Sequence, residues 1–262
     1  MKYELVKTKT KQFAGRTLYQ IKALVAIGST VDAGDFGGYI ESEKNLSQVY
    51  GNAWVYGNAQ VYGNAWVYGN AQVYGDACVH GNAQVYGDAC VHGNAQVYGN
   101  ACVYDDACVY SDARVHGNAQ VYGNAQVSGN AQVSNKTQWI LIGPAKSSGR
   151  FTTAFVDEKI GVRVVCGCFT GTVAEFSKQI EKTHKENKKY LEQYRLFCRL
   201  IAFNFEIKEM NTPQRTWVGL TNNELQPISD EYRILFGGWV EDFARAIETK
   251  LKQKNGYAEE NT

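Results

Sequence analysis

Three histidines stand at one fixed place in a repeated phrase: His80, His92 and His116 each fall where neighbouring phrases carry tyrosine. Imidazole titrates near neutral pH and can act as a general base, so these residues come first among those able to do chemistry. Four cysteines, Cys78, Cys90, Cys102 and Cys108, occupy outward positions of the same phrase, and Cys90 and Cys108 are eighteen residues apart. Adjacent coils would bring that pair within disulfide range on Cα distance alone. A reducing compartment would keep the pair as free thiols. The sides of the repeat separate the four cysteines and no histidine joins the pair, so the sequence predicts no metal site. Farther along, Cys166-Gly167-Cys168 precedes His184. Cys-x-Cys is shorter than the usual zinc spacing, and a cysteine nucleophile would need a depressed pKa. The reading is a buried strand end and a solvated helix histidine, and the three repeat histidines read as tyrosine replaced by drift.

The element that must position these side chains is a six-residue unit, Val-Tyr-Gly-Asn-Ala-x, running without insertion from Val49 to Ser134. In each unit Ala53 and Val55 face one way while Trp54 and Tyr56 face the other, as in a strand. Gly57-Asn58 then turns the chain, because glycine takes positive φ without a Cβ penalty and asparagine tolerates it next best. Three such sides close a triangular coil of eighteen with a narrow Val and Ala interior. An aliphatic residue followed four places later by a small one, Val55 with Ala59 through Val127 with Ala131, resembles the hexapeptide-repeat family. That resemblance implies a left-handed parallel β-helix. Fifteen valines from Val49 to Val133 predict about five coils, a prism on the order of 24 Å long at a strand spacing of about 4.8 Å.

An eighteen-residue coil also predicts what stacks. Tyr50, Tyr68, Tyr86, Tyr104 and Tyr122 form one ladder; Tyr56, Tyr74, His92 and Tyr110 a second; Tyr62, His80, Tyr98 and His116 a third. The corner amides Asn64, Asn82, Asn100 and Asn118 fall in register and can hydrogen-bond along the stack. With Trp54 and Trp66, the tyrosine ladder and the histidines are the candidate binding surface, because aromatic side chains supply large contact area at low entropic cost.

A solenoid needs covered ends. Residues 1–46 read as an N-terminal β cap, with a strand-like run over Leu18–Ile27 and turn residues over Asp32–Ile40. The β-helix is assigned to 47–142, a small α/β (ββαα) domain to 143–207, and a helical extension to 208–262. The Gly-rich segment Gly34-Asp35-Phe36-Gly37-Gly38 lacks the Gly-Lys-Ser/Thr ending of a phosphate loop and reads as a turn. Cap and repeat together look like a group of uncharacterised bacterial and phage hexapeptide-repeat proteins, some labelled polymer-forming. In the α/β domain, Thr172-x-x-Glu175 is a capping box. Gly167-Cys168-Phe169-x-Gly171-Thr172, and later Trp217-Val218-Gly219-Leu220-Thr221 with Phe243-Ala244, resemble segments of phage and prophage reading frames.

A net charge of +1 argues against a strongly basic nucleic-acid binder, and the Lys178–Lys189 run, interleaved with Glu181 and Glu186, reads as a solvated helix face. No apolar run is long enough for a membrane span and the start lacks a signal-peptide core, so a cytoplasmic location is expected. Two functions compete. The hexapeptide resemblance implies trimeric acyltransferases with a histidine base between subunits, but no loop leaves the coils to shape a substrate site, and fold alone does not transfer function. The favoured expectation is a non-catalytic binding or assembly protein without cofactor, a homo-oligomer with a trimer first. Its partner would be a sister subunit, a host defence protein or a signalling nucleotide.

Overall fold

The computed structural model describes residues 1–49, 51–207, 223, 247–251, 253 and 254. The chain divides into two compact units, Met1–Met210 and Asn211–Thr262. The extension read over 208–262 lies largely outside the described residues; those described within it are helical.

Unit one is a parallel β-solenoid of about five turns, closed at both ends. Two-residue strands occur every six residues, from Trp54–Val55 to Gln132–Val133. All but the last three pair in parallel with the strand eighteen residues on, Val55 with Val73 and Val91 with Val109 among them. The repeated valines and alanines from Ala53 to Val133 are buried without exception. Their burial on all three sides is the main source of stability, since each coil covers only its neighbours. At the corners the glycines take φ between 56° and 73°, and the asparagines bond upward as the register requires, Asn64 Nδ2 to Asn82 Oδ1 at 3.1 Å and Asn82 Nδ2 to Asn100 Oδ1 at 3.0 Å.

The N-terminal cap is a hairpin, β1 (Tyr3–Phe13) and β2 (Arg16–Ala23), followed by β3 (Phe36–Ile40). These strands extend one side of the solenoid: β3 pairs in parallel with Gln60–Val61. Ile40 and Leu46 therefore already occupy coil positions, opposite Val61 and Val67. Those pairings are spaced by twenty-one residues where later coils are spaced by eighteen. The three extra residues fall between Leu46 and Ala53, where Val49 is 70% exposed. The expectation that Val49 begins the core is thus corrected. A second correction concerns Gly37 and Gly38, which lie in a strand and not in a turn. A Cβ on Gly38 would stand 2.7 Å from the Ala59 carbonyl oxygen and from Val55 Cγ1, so these glycines allow β3 to press against the first coil.

The C-terminal end is covered by a four-stranded antiparallel sheet: β18 (Trp139–Ile142), β19 (Thr152–Asp157), β20 (Gly161–Cys166) and β21 (Phe169–Thr172), keeping β4–β17 for the solenoid strands. Trp139–Ile142, assigned by sequence to the end of the β-helix, is the edge strand of this sheet. Two helices, α1 (Val173–Thr183) and α2 (Lys188–Asn204), follow. The predicted capping box forms: the Thr172 hydroxyl accepts from the Glu175 N–H at 3.2 Å, and the Thr172 N–H donates to Glu175 Oε2 at 2.8 Å. Phe155 and Trp139 join the solenoid core, whereas Val164, Phe176, Ile180 and Tyr194 form a separate core under the helices. Among the described residues no helix is long and apolar enough to cross a membrane.

Candidate functional site

The outward positions make three ladders, because a parallel register with no insertions places identical residue types above one another. On the first, Tyr68, Tyr86, Tyr104 and Tyr122 stack with centroids 4.8, 5.0 and 5.3 Å apart and interplanar angles of 20° or less. Trp66 lies against Tyr68 at 4.0 Å, and Trp139 closes the far end edge-on to Tyr122 at 5.1 Å. The third ladder runs Tyr62, His80, Tyr98, His116 at 4.9 to 5.1 Å. On the second, His92 sits between Tyr74 at 4.6 Å and Tyr110 at 5.2 Å, near parallel to both. Ring faces cover each other, so solvent meets ring edges, phenol hydroxyls and imidazole nitrogens. Burial raises the pKa of Tyr68, Tyr86 and Tyr104 and lowers that of His80 and His92, with the Arg16 guanidinium adding to the effect at His80. At these five positions burial therefore favours the neutral form.

The candidate surface residues do not all lie on this face. Trp66 and Tyr122 are 43% and 44% exposed, and Tyr68, Tyr86 and Tyr104 are half-buried. Tyr50 lies outside the described residues. Trp54 is a correction: it is only 1% exposed, because Tyr3 of the cap meets it edge-on at 6.1 Å. The Tyr3 hydroxyl donates to the Leu46 carbonyl at 2.7 Å. An outward position on the first coil is thus consumed by the cap, which six-residue periodicity alone does not reveal. Tyr62 is likewise covered, by Phe13 at 5.8 Å and the Arg16 guanidinium at 5.8 Å.

The cysteines bring the largest departure from expectation. All seven are free thiols. Cys90 pairs with Cys108 in the next coil, and His92, two residues beyond Cys90, points out from the same strand face. One ligand atom from each of Cys90, His92 and Cys108 lies within 4.8 Å of the others. A histidine does therefore join the pair, contrary to the sequence reading. The signal was present as Cys-Val-His, since residues two apart on a strand share a face. The hydrogen bond from Cys108 pulls the Cys90 thiol down to about 6, against the opposing effect of burial, and the Tyr74 hydroxyl at 3.4 Å assists. The same bond pushes Cys108 up, as does burial. A shallow hollow lined by Thr30, Asn70, Gln72 and Asp88 opens beside Cys90.

Elsewhere the chemistry-bearing residues stay apart or serve structure. Cys166 is buried and Cys168 exposed. His184 caps the end of α1 and stacks on Tyr194 at 4.9 Å. On the exposed helical face Arg195 bonds Glu181 at 2.7 Å and Glu192 at 2.6 Å. At the C-terminal cap, buried Asp157 accepts from Arg163 Nε at 2.7 Å and from the Asn130 N–H at 3.1 Å, pinning the sheet to the last coil.

A family model described as the YdcK beta solenoid repeat matches residues 47–63, 59–75, 71–87, 83–99, 95–111 and 119–135. No curated protein matches the chain. The matched windows coincide with the stacked coils, and the chain is a repeat-built β-solenoid protein.

Proposed function

We propose that this chain is a non-catalytic binding and assembly protein whose solenoid, of the left-handed hexapeptide class, serves as a contact surface. The carrying observation is the first ladder, an unbroken column of parallel rings from Tyr68 to Tyr122 flanked by exposed Trp66. Flat, rigid aromatic edges cost little side-chain entropy when covered, which suits them to a protein interface. The occupant is a sister subunit in a homotrimer. The phage-like segments of the sequence extend this reading to a phage or prophage protein acting in a host cytoplasm, where the assembly blocks a defence protein or acts as a sponge for its signalling nucleotide. The histidine positions do not favour the acyltransferase reading, since each of His80, His92 and His116 is stacked into a ladder as a tyrosine would be.

The test is native mass by light scattering. Wild type is expected as a trimer, and the double substitution Tyr86→Ser with Tyr104→Ser as a folded monomer, because serine already fills this place at Ser128 and Ser134. A wild type that is monomeric at micromolar concentration, or a variant that stays trimeric, rejects the ladder as the interface.

A further inference from the structure

We propose that Cys90, His92 and Cys108 form a binding site for a thiophilic divalent cation of the zinc class, held tetrahedrally with its fourth position open to solvent. This site lies on the second ladder, apart from the Tyr68–Tyr122 column, and does not rest on the assembly reading. Two thiolates and an imidazole are the donor set that selects such a cation over magnesium or calcium.

Geometry carries the argument. The three ligand atoms already lie within 4.8 Å of one another. A tetrahedral ion with Zn–S near 2.3 Å and Zn–N near 2.0 Å separates its ligands by roughly 3.5–3.8 Å. Closure therefore asks for at most about 1.3 Å of approach, within reach of rotation about the two cysteine χ1 angles while the coil backbone stays fixed. The imidazole is held ready: Tyr74 and Tyr110 sandwich it at interplanar angles of 3° and 5°, which fixes the plane in which its lone pair points. Tyr74 adds outer support. Its hydroxyl is 3.4 Å from Cys90 Sγ, and once the thiol proton has left, that hydroxyl donates to the metal-bound sulfur, the role that orienting partners play around metal sites. The hollow beside Cys90 supplies an entry path. On binding, the protons still held by the Cys90 and Cys108 thiols pass to solvent, and two thiolates and one imidazole displace all the cation's water ligands but one, which keeps the open position.

The repeat contains its own control. Cys78-Val79-His80 repeats the Cys-Val-His phrase two sides earlier. His80 is sandwiched by Tyr62 and Tyr98 as His92 is by its neighbours. Its cysteine, however, faces Gln96 in the next coil where Cys90 faces Cys108. The second thiol is what distinguishes the two places, so the earlier phrase offers two ligands and the later one three.

The experiment loads the full-length, reduced chain with Zn²⁺ and counts metal retained after desalting. Affinity is read by chelator competition, and ligand type by the thiolate-to-metal charge-transfer band with Co²⁺. Wild type is expected to retain one equivalent. Cys108→Gln and His92→Tyr, each restoring the residue the repeat uses elsewhere in that column and so preserving the coil, should weaken binding by more than the roughly 10–100-fold that loss of a mere supporting group costs. Cys78→Gln and Cys102→Gln should leave it unchanged, and Gln96→Cys should raise retention to two equivalents. The proposal is overturned if wild type keeps no stoichiometric metal, or if Cys102→Gln lowers retention as much as Cys108→Gln, which would mark scattered thiol binding. A Cys90–Cys108 disulfide in peptide maps of chain purified without reductant, with no metal retained after re-reduction, would sink it equally.

Discussion

Asp105 and Ser111 stand at corner positions with φ of 58° and 61°, the conformation that glycine supplies at most other corners. A residue with a Cβ pays about 1–2 kcal/mol there, while glycine brings a greater loss of chain entropy on folding, about 0.5–1 kcal/mol. Ser111→Gly is therefore expected to stabilise the chain by roughly 0.5–1 kcal/mol, read as a higher denaturant midpoint at unchanged slope. The reverse exchange is worse than conformation alone implies. A Cβ on Gly87 would sit 2.8 Å from the Asp105 amide nitrogen, so Gly87→Ala adds a steric clash with the next coil to the left-handed strain. An unchanged or lowered midpoint for Ser111→Gly would show that the serine makes up for its strain by other means.

The element joining solenoid to sheet is β19, and its last residue, Asp157, is the point of attachment. Burial alone would raise the pKa of this carboxyl. The Arg163 hydrogen bond, the N–H groups of Lys159 and Asn130 and the Arg163 charge together outweigh burial and hold it below its ordinary 3.8. With the folded value depressed, the stability contributed is fully present above the unfolded value and is lost as pH falls through the folded one. Wild type is thus expected to lose more unfolding free energy than Asp157→Asn between about pH 5 and pH 2, and to exceed it by roughly 3 kcal/mol near neutrality, since the substitution leaves Arg163 without its counter-charge. Parallel acid titrations of the two proteins would remove Asp157 from this role.

At the scale of the whole first unit, the solenoid and its C-terminal sheet share one core through Phe155, which is fully buried among the solenoid residues although it belongs to β19. The helices α1 and α2 pack instead over the other face, Phe176 and Ile180 of α1 and Tyr194 of α2 clustering with Ala154 and Val164 of the sheet. Phe155→Ala is expected to cost about 3–5 kcal/mol, and hydrogen exchange should place that loss in the last coil, around Val127 and Val133, before it reaches the helices. Equal loss of protection in α1 would mean that the two cores unfold together.

By itself the sequence determined the coil. A strict period of six fixes which residues turn, which alternate inward and which stack eighteen apart, so the valine and alanine interior, the asparagine ladder from Asn64 to Asn118 and the tyrosine column from Tyr68 to Tyr122 were all legible in one dimension. The capping box at Thr172 and the β19–β20 hairpin were legible for the same reason, being local. Tertiary structure decided what happens where the period meets something else. The cap takes over Ile40 and Leu46 as coil residues, leaves Val49 exposed and buries Trp54 beneath Tyr3. Gly37 and Gly38 serve close approach between strands, which no turn rule detects. The convergence of Cys90, His92 and Cys108 needed both scales at once, since strand alternation places two of these side chains on one face and only the stacking of the next coil adds the third.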